Sequence, residues 1–179
     1  MGVAAKHPDG ALVLRAYENH DYANDSYENR VDRVASDYVE ASMAINFLID
    51  GVPFLYNGNE FADGARHSLW SLPGDSIRID WSTLESEREK RRMELVKKLC
   101  LLRHSEAALC HGATEWEKDA LLAIFNRKYG EDCITVIANF NNYEISIPAI
   151  DGETLISGNV CQSGGQLTLS AGGYIAVKQ

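Results

Sequence analysis

The sequence predicts a mixed fold, with an α/β part over residues 1–105 and an all-β part over residues 106–179. In the first part, two short apolar runs flank one long amphipathic run, which is the pattern of a strand, a helix and a second strand. From about Ala107 the apolar period changes to two, and short β-branched or aromatic runs alternate with Gly, Asn and Asp turn signals. The second part is therefore expected to be an antiparallel β-sandwich.

The composition argues against two classes of partner. The chain has 179 residues, of which 45% are hydrophobic, and its 17 Lys and Arg against 26 Asp and Glu give a net charge of −9. An acidic chain with scattered basic residues repels phosphate backbones, so no nucleic acid is expected to bind. The longest apolar stretch, at 44–49, is far shorter than the roughly 20 residues that cross a bilayer, so no membrane span is expected. No signal peptide is visible, and the compartment stays open.

The α/β part is predicted to contain one strand, helix and strand unit. Residues 11–14 form a continuous apolar run, typical of a buried parallel strand, and end in a polar cluster at 17–21. The run 52–56 repeats this pattern before a second polar cluster at 57–63. Between them, apolar residues spaced four and three apart share one helical stripe: Val34, Tyr38, Ala41, Ile45 and Leu48. A crossover of this kind places the two strands parallel in one sheet.

A second helix and several antiparallel strands follow. The helix is expected to begin at Ser82, which has capping-box spacing to Glu85, and to bury a stripe that includes Val96 and Leu99. Strands are predicted at 121–129, 133–139, 144–147 and 173–177. The glycine pairs at 164–165 and 172–173 are expected to form turns.

Carboxylates recur at the ends of the two parallel strands, in the patterns Glu18-x-x-Asp21 and Glu60-x-x-Asp63. Ligand sites form at the carboxyl ends of such strands, where two carboxylates can divide acid and nucleophile roles in glycoside cleavage. The alternative is that they are strand-end and helix-cap residues held by local hydrogen bonds.

Neither of two further groups of acidic residues is predicted to bind a metal ion. The residues that could bind a metal ion do not have the spacing of a metal-binding motif, and no metal is therefore predicted. These residues are His20, Asp21, Glu60, Asp63 and His67. The acidic run beside the first helix lacks the order of a calcium loop and is interpreted as a solvated face and helix start: Asp25, Glu28, Asp32 and Asp37.

Both strand-end segments resemble motifs of the α-amylase family, glycoside hydrolase family 13. Arg15-Ala16-Tyr17-Glu18-Asn19-His20-Asp21 resembles the seventh-strand motif F-x-x-N-H-D, with Ala16 where the family often has an aromatic residue. The segment from Gly51 to Glu60 resembles the eighth-strand motif G-x-P-x-x-x-x-G-x-E. The resemblance implies the last two β/α units of a TIM (β/α)8 barrel, followed by the C-terminal antiparallel β-sandwich of these enzymes.

The same resemblance implies roles for individual residues. Asp21 would stabilise the oxocarbenium-like transition state, and His20 would bind the sugar beside the cleaved bond. Asn19 and Glu60 would hold these two residues in position without contacting the substrate. The loop 64–80 would border the substrate groove through three further substrate-binding residues: Arg66, His67 and Trp70. The substrate class implied is starch-like α-glucan or malto-oligosaccharide.

The family's nucleophile and general acid belong to the fourth and fifth barrel strands, and two units are too few to include them. The chain is therefore interpreted as the C-terminal part of a retaining hydrolase, inactive by itself. Its open strand edge and apolar helix sides are expected to favour self-association or docking with the missing N-terminal part. No cofactor is expected in this chain, although calcium occurs in many relatives. The sequence does not decide the bond specificity, the choice between endo and exo action or between hydrolysis and transglycosylation, or the origin of the truncation.

A second interpretation is a non-catalytic carbohydrate-binding or interaction module. Aromatic faces in the all-β part provide surfaces on which sugars stack: Trp116, Tyr129, Phe140, Tyr143 and Tyr174. A third is a scaffold that only supports the barrel and binds no ligand.

Overall fold

The computed structural model describes residues 8, 11–19, 30–63 and 81–179. Strand β1 (Leu14–Arg15) pairs in parallel with strand β2 (Val52–Pro53), which confirms the predicted pairing. Burial along β1 alternates, because one face of this two-stranded sheet packs on a helix and the other does not. Leu12 and Leu14 lie on the uncovered face at 72% and 63% exposure, so the prediction of a fully buried strand is wrong.

The helical segment between the strands is broken where the apolar stripe predicted continuity. It consists of helix α1 (Val31–Val34), a 3₁₀ turn (Ser36–Tyr38) and helix α2 (Val39–Leu48). Ala35 interrupts the segment because its backbone, at φ −141° and ψ 39°, is not helical. The resulting change of direction leaves Val34 62% exposed, although Ala41 and Leu48 are fully buried as predicted.

Two consecutive helices lead into the sheet. A 3₁₀ turn (Trp81–Glu85) precedes helix α3 (Glu87–Ser105), and helix α4 (Ala107–His111) follows it. The predicted helix start at Ser82 is wrong, because the chain becomes α-helical only after Ser86. The predicted buried stripe is confirmed at Val96 and Leu99.

Two arginines, the half-buried Arg103 and the buried Arg127, bind the carboxyl ends of two helices, where carbonyl groups lack partners within the helix. Arg103 donates to the carbonyls of Phe47, Ile49 and Gly51, at and just beyond the end of α2. Arg127 donates to the Leu109 and Gly112 carbonyls at 2.9 and 2.8 Å, at the end of α4. Burial lowers the pKa of Arg103, and lowers that of Arg127 to about 10.

The remaining chain forms one curled antiparallel sheet of six strands. In chain order they are β3 (Ala113–Trp116), β4 (Ala123–Tyr129), β5 (Asp132–Ala138), β6 (Ile145–Pro148), β7 (Glu153–Ser163) and β8 (Gln166–Lys178). The pairing order is β3-β4-β5-β8-β6, and β7 also pairs with β8. Strands were predicted at β4, β5, β6 and the second half of β8, whereas β3 and β7 were missed. The arrangement of this sheet as a sandwich stays a prediction.

Strand β8 bends in its middle and pairs with different strands before and after the bend. Its first half pairs with β6 and its second half with β5, while β7 follows it along most of its length. Gly172, at φ +68°, and Asn159 opposite, at φ +50°, mark the bend. The prediction of a turn at 172–173 is therefore wrong, because the strand continues through both glycines. The turn predicted at 164–165 is confirmed between β7 and β8.

Helices and sheet share one hydrophobic core. It includes Met43 and Phe47 of α2, Leu99 of α3, and Phe125 and Val136 of the inner sheet face. A second, smaller cluster lies on the other face, where the curl brings β6 and the first half of β8 over β5. The domain boundary at 105/106 stays a prediction, and the larger core contains residues from both sides of it.

Candidate functional site

The polar clusters after β1 and β2 meet at one edge of the two-stranded sheet. Glu18 follows β1, and Asn59 lies in a 3₁₀ turn (Asn59–Phe61) that follows β2. Asn59 Nδ2 donates to Glu18 Oε2 at 2.6 Å, and both residues are buried. The carboxyl ends of parallel strands lie at the same edge of a sheet, and this contact joins them directly.

Arg30 occupies the centre of this edge. Its Nε lies 3.1 and 3.2 Å from the two Glu18 carboxylate oxygens, and neither side chain is exposed. Its Nη2 donates to the Asn57 carbonyl at 3.3 Å, and its Nη1 lies 3.9 Å from Asp63 Oδ2. Arg30 therefore joins both strand ends through one buried guanidinium.

The Glu18 carboxylate is a structural support. It accepts hydrogen bonds from Arg30, from Asn59 and from the Val31 amide N–H at 2.7 Å, where helix α1 begins. Donors from three segments surround it and no surface of its side chain reaches solvent. A carboxylate held in this way positions its neighbours and has no access to a substrate oxygen.

A second buried ion pair connects the strand ends to α3. Arg92 Nη1 donates to Asp32 Oδ2 at 3.0 Å and to the Asn59 carbonyl at 3.4 Å. Arg88, one helical turn earlier, donates to Asp32 Oδ1 at 3.1 Å. Asp32 is 4% exposed, so its assignment to a solvated face is wrong; two arginines on one helix face compensate its charge. Asp37 is exposed as predicted, and Asp25 and Glu28 lie outside the described residues.

Tyr17 lies beside both ion pairs. Its hydroxyl is buried and has no hydrogen-bond partner among the residues described here. Burial is the main cause of a raised Tyr17 pKa, which Asp32 and Glu18 raise further and Arg92 and Arg30 oppose. The phenol therefore stays protonated.

The structure describes two of the predicted site residues. Asn19 is half-buried just after Glu18. Glu60 Oε2 accepts the Gly58 N–H at 2.9 Å, within the loop that follows β2. The other five, His20, Asp21, Arg66, His67 and Trp70, lie outside the described residues.

Sequence patterns missed the cationic half of the site. Arg30 and Arg92 were not singled out, because their carboxylate partners, Glu18 and Asp32, lie 12 and 60 residues away along the chain. The spacing of Arg88 and Arg92, four apart on one helix, is the signal that marks a common face for a carboxylate.

The described ranges contain neither a cluster of metal-ligating residues nor a membrane-spanning helix. Residues 8, 11–19, 30–63 and 81–179 contain no group of three or more His, Cys, Asp or Glu able to hold a metal ion. None of the helices within these ranges is long and apolar enough to span a membrane.

The aromatic residues of the sheet differ in exposure. Trp116, Tyr129, Phe140 and Tyr143 are between 44% and 54% exposed, as a sugar-stacking surface requires. Tyr174 is 3% exposed and belongs to the core, so its inclusion among the stacking candidates is wrong. Burial raises its pKa to about 12.

Comparison with solved structures identifies the fold. Amy13B of Eubacterium rectale matches 98% of this chain and 40% of its own, with a TM-score of 0.72 and 18% identity. An Anoxybacillus alpha-amylase matches 87% of this chain over 36% of its own length, with a TM-score of 0.60 and 16% identity. The chain has the fold of one part of these α-amylase-type structures. An AmyP mutant in complex with maltotriose also shares it, over 79% of this chain and 34% of its own, with a TM-score of 0.59 and 16% identity.

The resemblance to α-amylase-family glycoside hydrolases is thereby confirmed at the level of the fold. The chain spans 34–40% of the length of the α-amylase-type structures named above. No protein-family model matches the sequence, and no curated protein matches it either. The two converging strand ends are the part of this α-amylase-type fold that carries the candidate site.

Proposed function

We propose that this chain forms the seventh and eighth β/α units of a (β/α)8 catalytic barrel and the β-sandwich that follows them. The parent protein is a retaining hydrolase of α-glucosidic bonds in starch-like glucans or malto-oligosaccharides. The observation that carries the proposal is the 2.6 Å contact between Asn59 and Glu18, because it joins the two motif-bearing strand ends at one edge. The α-amylase-type fold supports the same assignment.

In this proposal the motif residues have separate tasks. Asp21 stabilises the oxocarbenium-like transition state and His20 binds the sugar beside the cleaved bond. Asn19 and Glu60 support them, and Arg66, His67 and Trp70 border the substrate groove. The nucleophile and general acid come from other barrel units, and their combined action provides most of the rate enhancement. The 179-residue chain alone is therefore proposed to be inactive, and no residue in it is assigned a cofactor.

Hydrolysis of malto-oligosaccharides tests this assignment. The purified chain is expected to give no turnover alone. When mixed with an N-terminal barrel portion that carries the nucleophile and acid, it is expected to restore hydrolysis. The Asp21→Ala variant should lower the restored rate at least about 100-fold, because the developing charge loses a fixed partner.

The matched control is Asp151→Ala, which removes an exposed carboxylate from the loop between β6 and β7 and should leave the restored rate unchanged. Products are resolved by chromatography. Turnover by the chain alone that disappears in Asp21→Ala would contradict the proposed inactivity, and restored turnover that survives Asp21→Ala would contradict the role of Asp21.

We further propose that the uncovered face of the β1–β2 sheet is a docking surface for the rest of the barrel and self-associates when the chain is alone. Leu12, Leu14 and Val52 are 72%, 63% and 41% exposed there. A paired variant, Leu12→Ser with Leu14→Ser, is expected to shift the mass measured by light scattering from oligomer to monomer.

Leu121→Ser is the control, because Leu121 is 50% exposed in the loop before β4, outside the β1–β2 sheet and the helices, and should not change the mass. A monomeric unmodified chain would refute self-association through this surface.

The alternative function is a carbohydrate-binding module in which the sheet carries the sugar site. The exposed Trp116, Tyr129, Phe140 and Tyr143 favour it. The two functions differ in where a sugar binds, at the strand ends or on the sheet.

A further inference from the structure

An exposed tryptophan lies beside the loop that follows β2. Trp81 is 56% exposed, and its ring centroid is 4.9 Å from that of Phe61, with 34° between the planes. Phe61 is fully buried and directly follows Glu60 in that loop. One side of the Trp81 indole is thus fixed against the strand-end loop while much of its surface meets solvent.

A second tryptophan repeats this geometry elsewhere in the fold. Trp116 is 54% exposed on strand β3, and its centroid is 5.0 Å from that of the buried Phe125. Packing on a phenylalanine therefore does not distinguish the two residues. Their position does, because only Trp81 adjoins the edge where the two parallel strands end.

We propose that Trp81 is a stacking platform that binds one glucosyl unit of an α-glucan at the margin of the strand-end site. The inference rests on the proposed function and adds a substrate-binding residue to it. The C–H face of a pyranose ring is apolar and packs on an aromatic face, whereas its hydroxyl groups require hydrogen-bonding partners. An indole already held by Phe61 loses little conformational freedom when the sugar binds.

The loop beside the platform provides polar groups for the sugar hydroxyls. Glu60 uses Oε2 to accept the Gly58 N–H, and its Oε1 is a second acceptor in the same loop. Asn57, three residues earlier, has an exposed side chain. An aromatic face with an acceptor and an amide nearby matches the two surfaces of a glucosyl unit.

Titration of the whole chain with maltotriose tests the platform, using calorimetry for affinity and tryptophan fluorescence for location. Trp81→Ala is expected to weaken binding about tenfold and to reduce the fluorescence change. Trp81→Phe keeps an aromatic face of smaller area and should weaken binding less than Trp81→Ala. The control Trp116→Ala removes an equally exposed indole and should leave the affinity unchanged. Circular dichroism of each variant establishes that it is folded.

Three results would overturn the inference. They are unchanged affinity in Trp81→Ala, loss of binding in Trp116→Ala instead, and no binding by the unmodified chain up to about 10 mM maltotriose. Loss in Trp116→Ala would support the carbohydrate-binding module. The readout is independent of turnover, so the platform and the Asp21 assignment can fail separately.

Discussion

Replacing Glu18 with alanine is expected to lower the free energy of unfolding by about 3–5 kcal/mol. The substitution leaves the Arg30 guanidinium fully buried without the carboxylate that now lies 3.1 Å from its Nε. It also removes the acceptor for Asn59 Nδ2 and for the Val31 amide N–H. Loss of the closest counter-charge of a buried cation is among the largest destabilising effects of a single substitution.

Urea denaturation followed by circular dichroism measures this loss. Glu94→Ala is the matched control, because Glu94 also accepts from a cation, Lys97 Nζ at 2.6 Å, but with both side chains exposed. Exposed ion pairs contribute little to stability, so the control should unfold at nearly the same urea concentration as the unmodified chain. Equal effects of Glu18→Ala and Glu94→Ala would show that burial of the Arg30 pair does not matter.

Replacing Gly172 with alanine is expected to destabilise the protein by about 3 kcal/mol or more. Gly172 adopts φ +68°, a conformation that an added Cβ disfavours. A Cβ at this position would also clash with the backbone carbonyl of Asp37, in the 3₁₀ turn before α2. The carbonyl cannot move without displacing that turn from the bend of β8.

Gly164→Ala separates the two causes. Gly164 has a similar φ of +58°, but no atom lies within 4 Å of its added Cβ. Its loss of stability is expected to be about 1–2 kcal/mol, from the backbone conformation alone. Thermal denaturation of both variants gives the difference due to the clash, and equal midpoints would argue against a tight contact at Gly172.

Local periodicity predicted the elements that a short apolar run marks in the sequence. The parallel pairing of β1 and β2 and the positions of β4 and β5 follow from short apolar runs. Periodicity failed where a distant contact decides the backbone. Gly172-Gly173 has the composition of a turn, but the close packing of the Asp37 carbonyl requires a glycine inside a continuous strand.

The acidic residues of the candidate site could be predicted from the sequence, and the basic residues could not. The carboxylates were identified because strand ends in parallel sheets collect ligand-binding groups, and Glu18 does lie at the shared edge. The arginines were not identified, since Glu18 pairs with Arg30 across 12 residues and Asp32 pairs with Arg92 across 60 residues of sequence. Only the packing of α3 against the strand ends creates the second pair.

The core that helices α2, α3 and α4 share with the sheet makes the two halves of this chain thermodynamically interdependent. Phe125 and Val136 complete their packing against side chains from the first half, so separating the halves would expose apolar surface on each. A sheet that depends on these helices for its core cannot be transferred to another protein as an independently folding domain. Any change in the sequence of α2 or α3 must be matched by the strands that pack on it, and the two segments are expected to evolve as one unit.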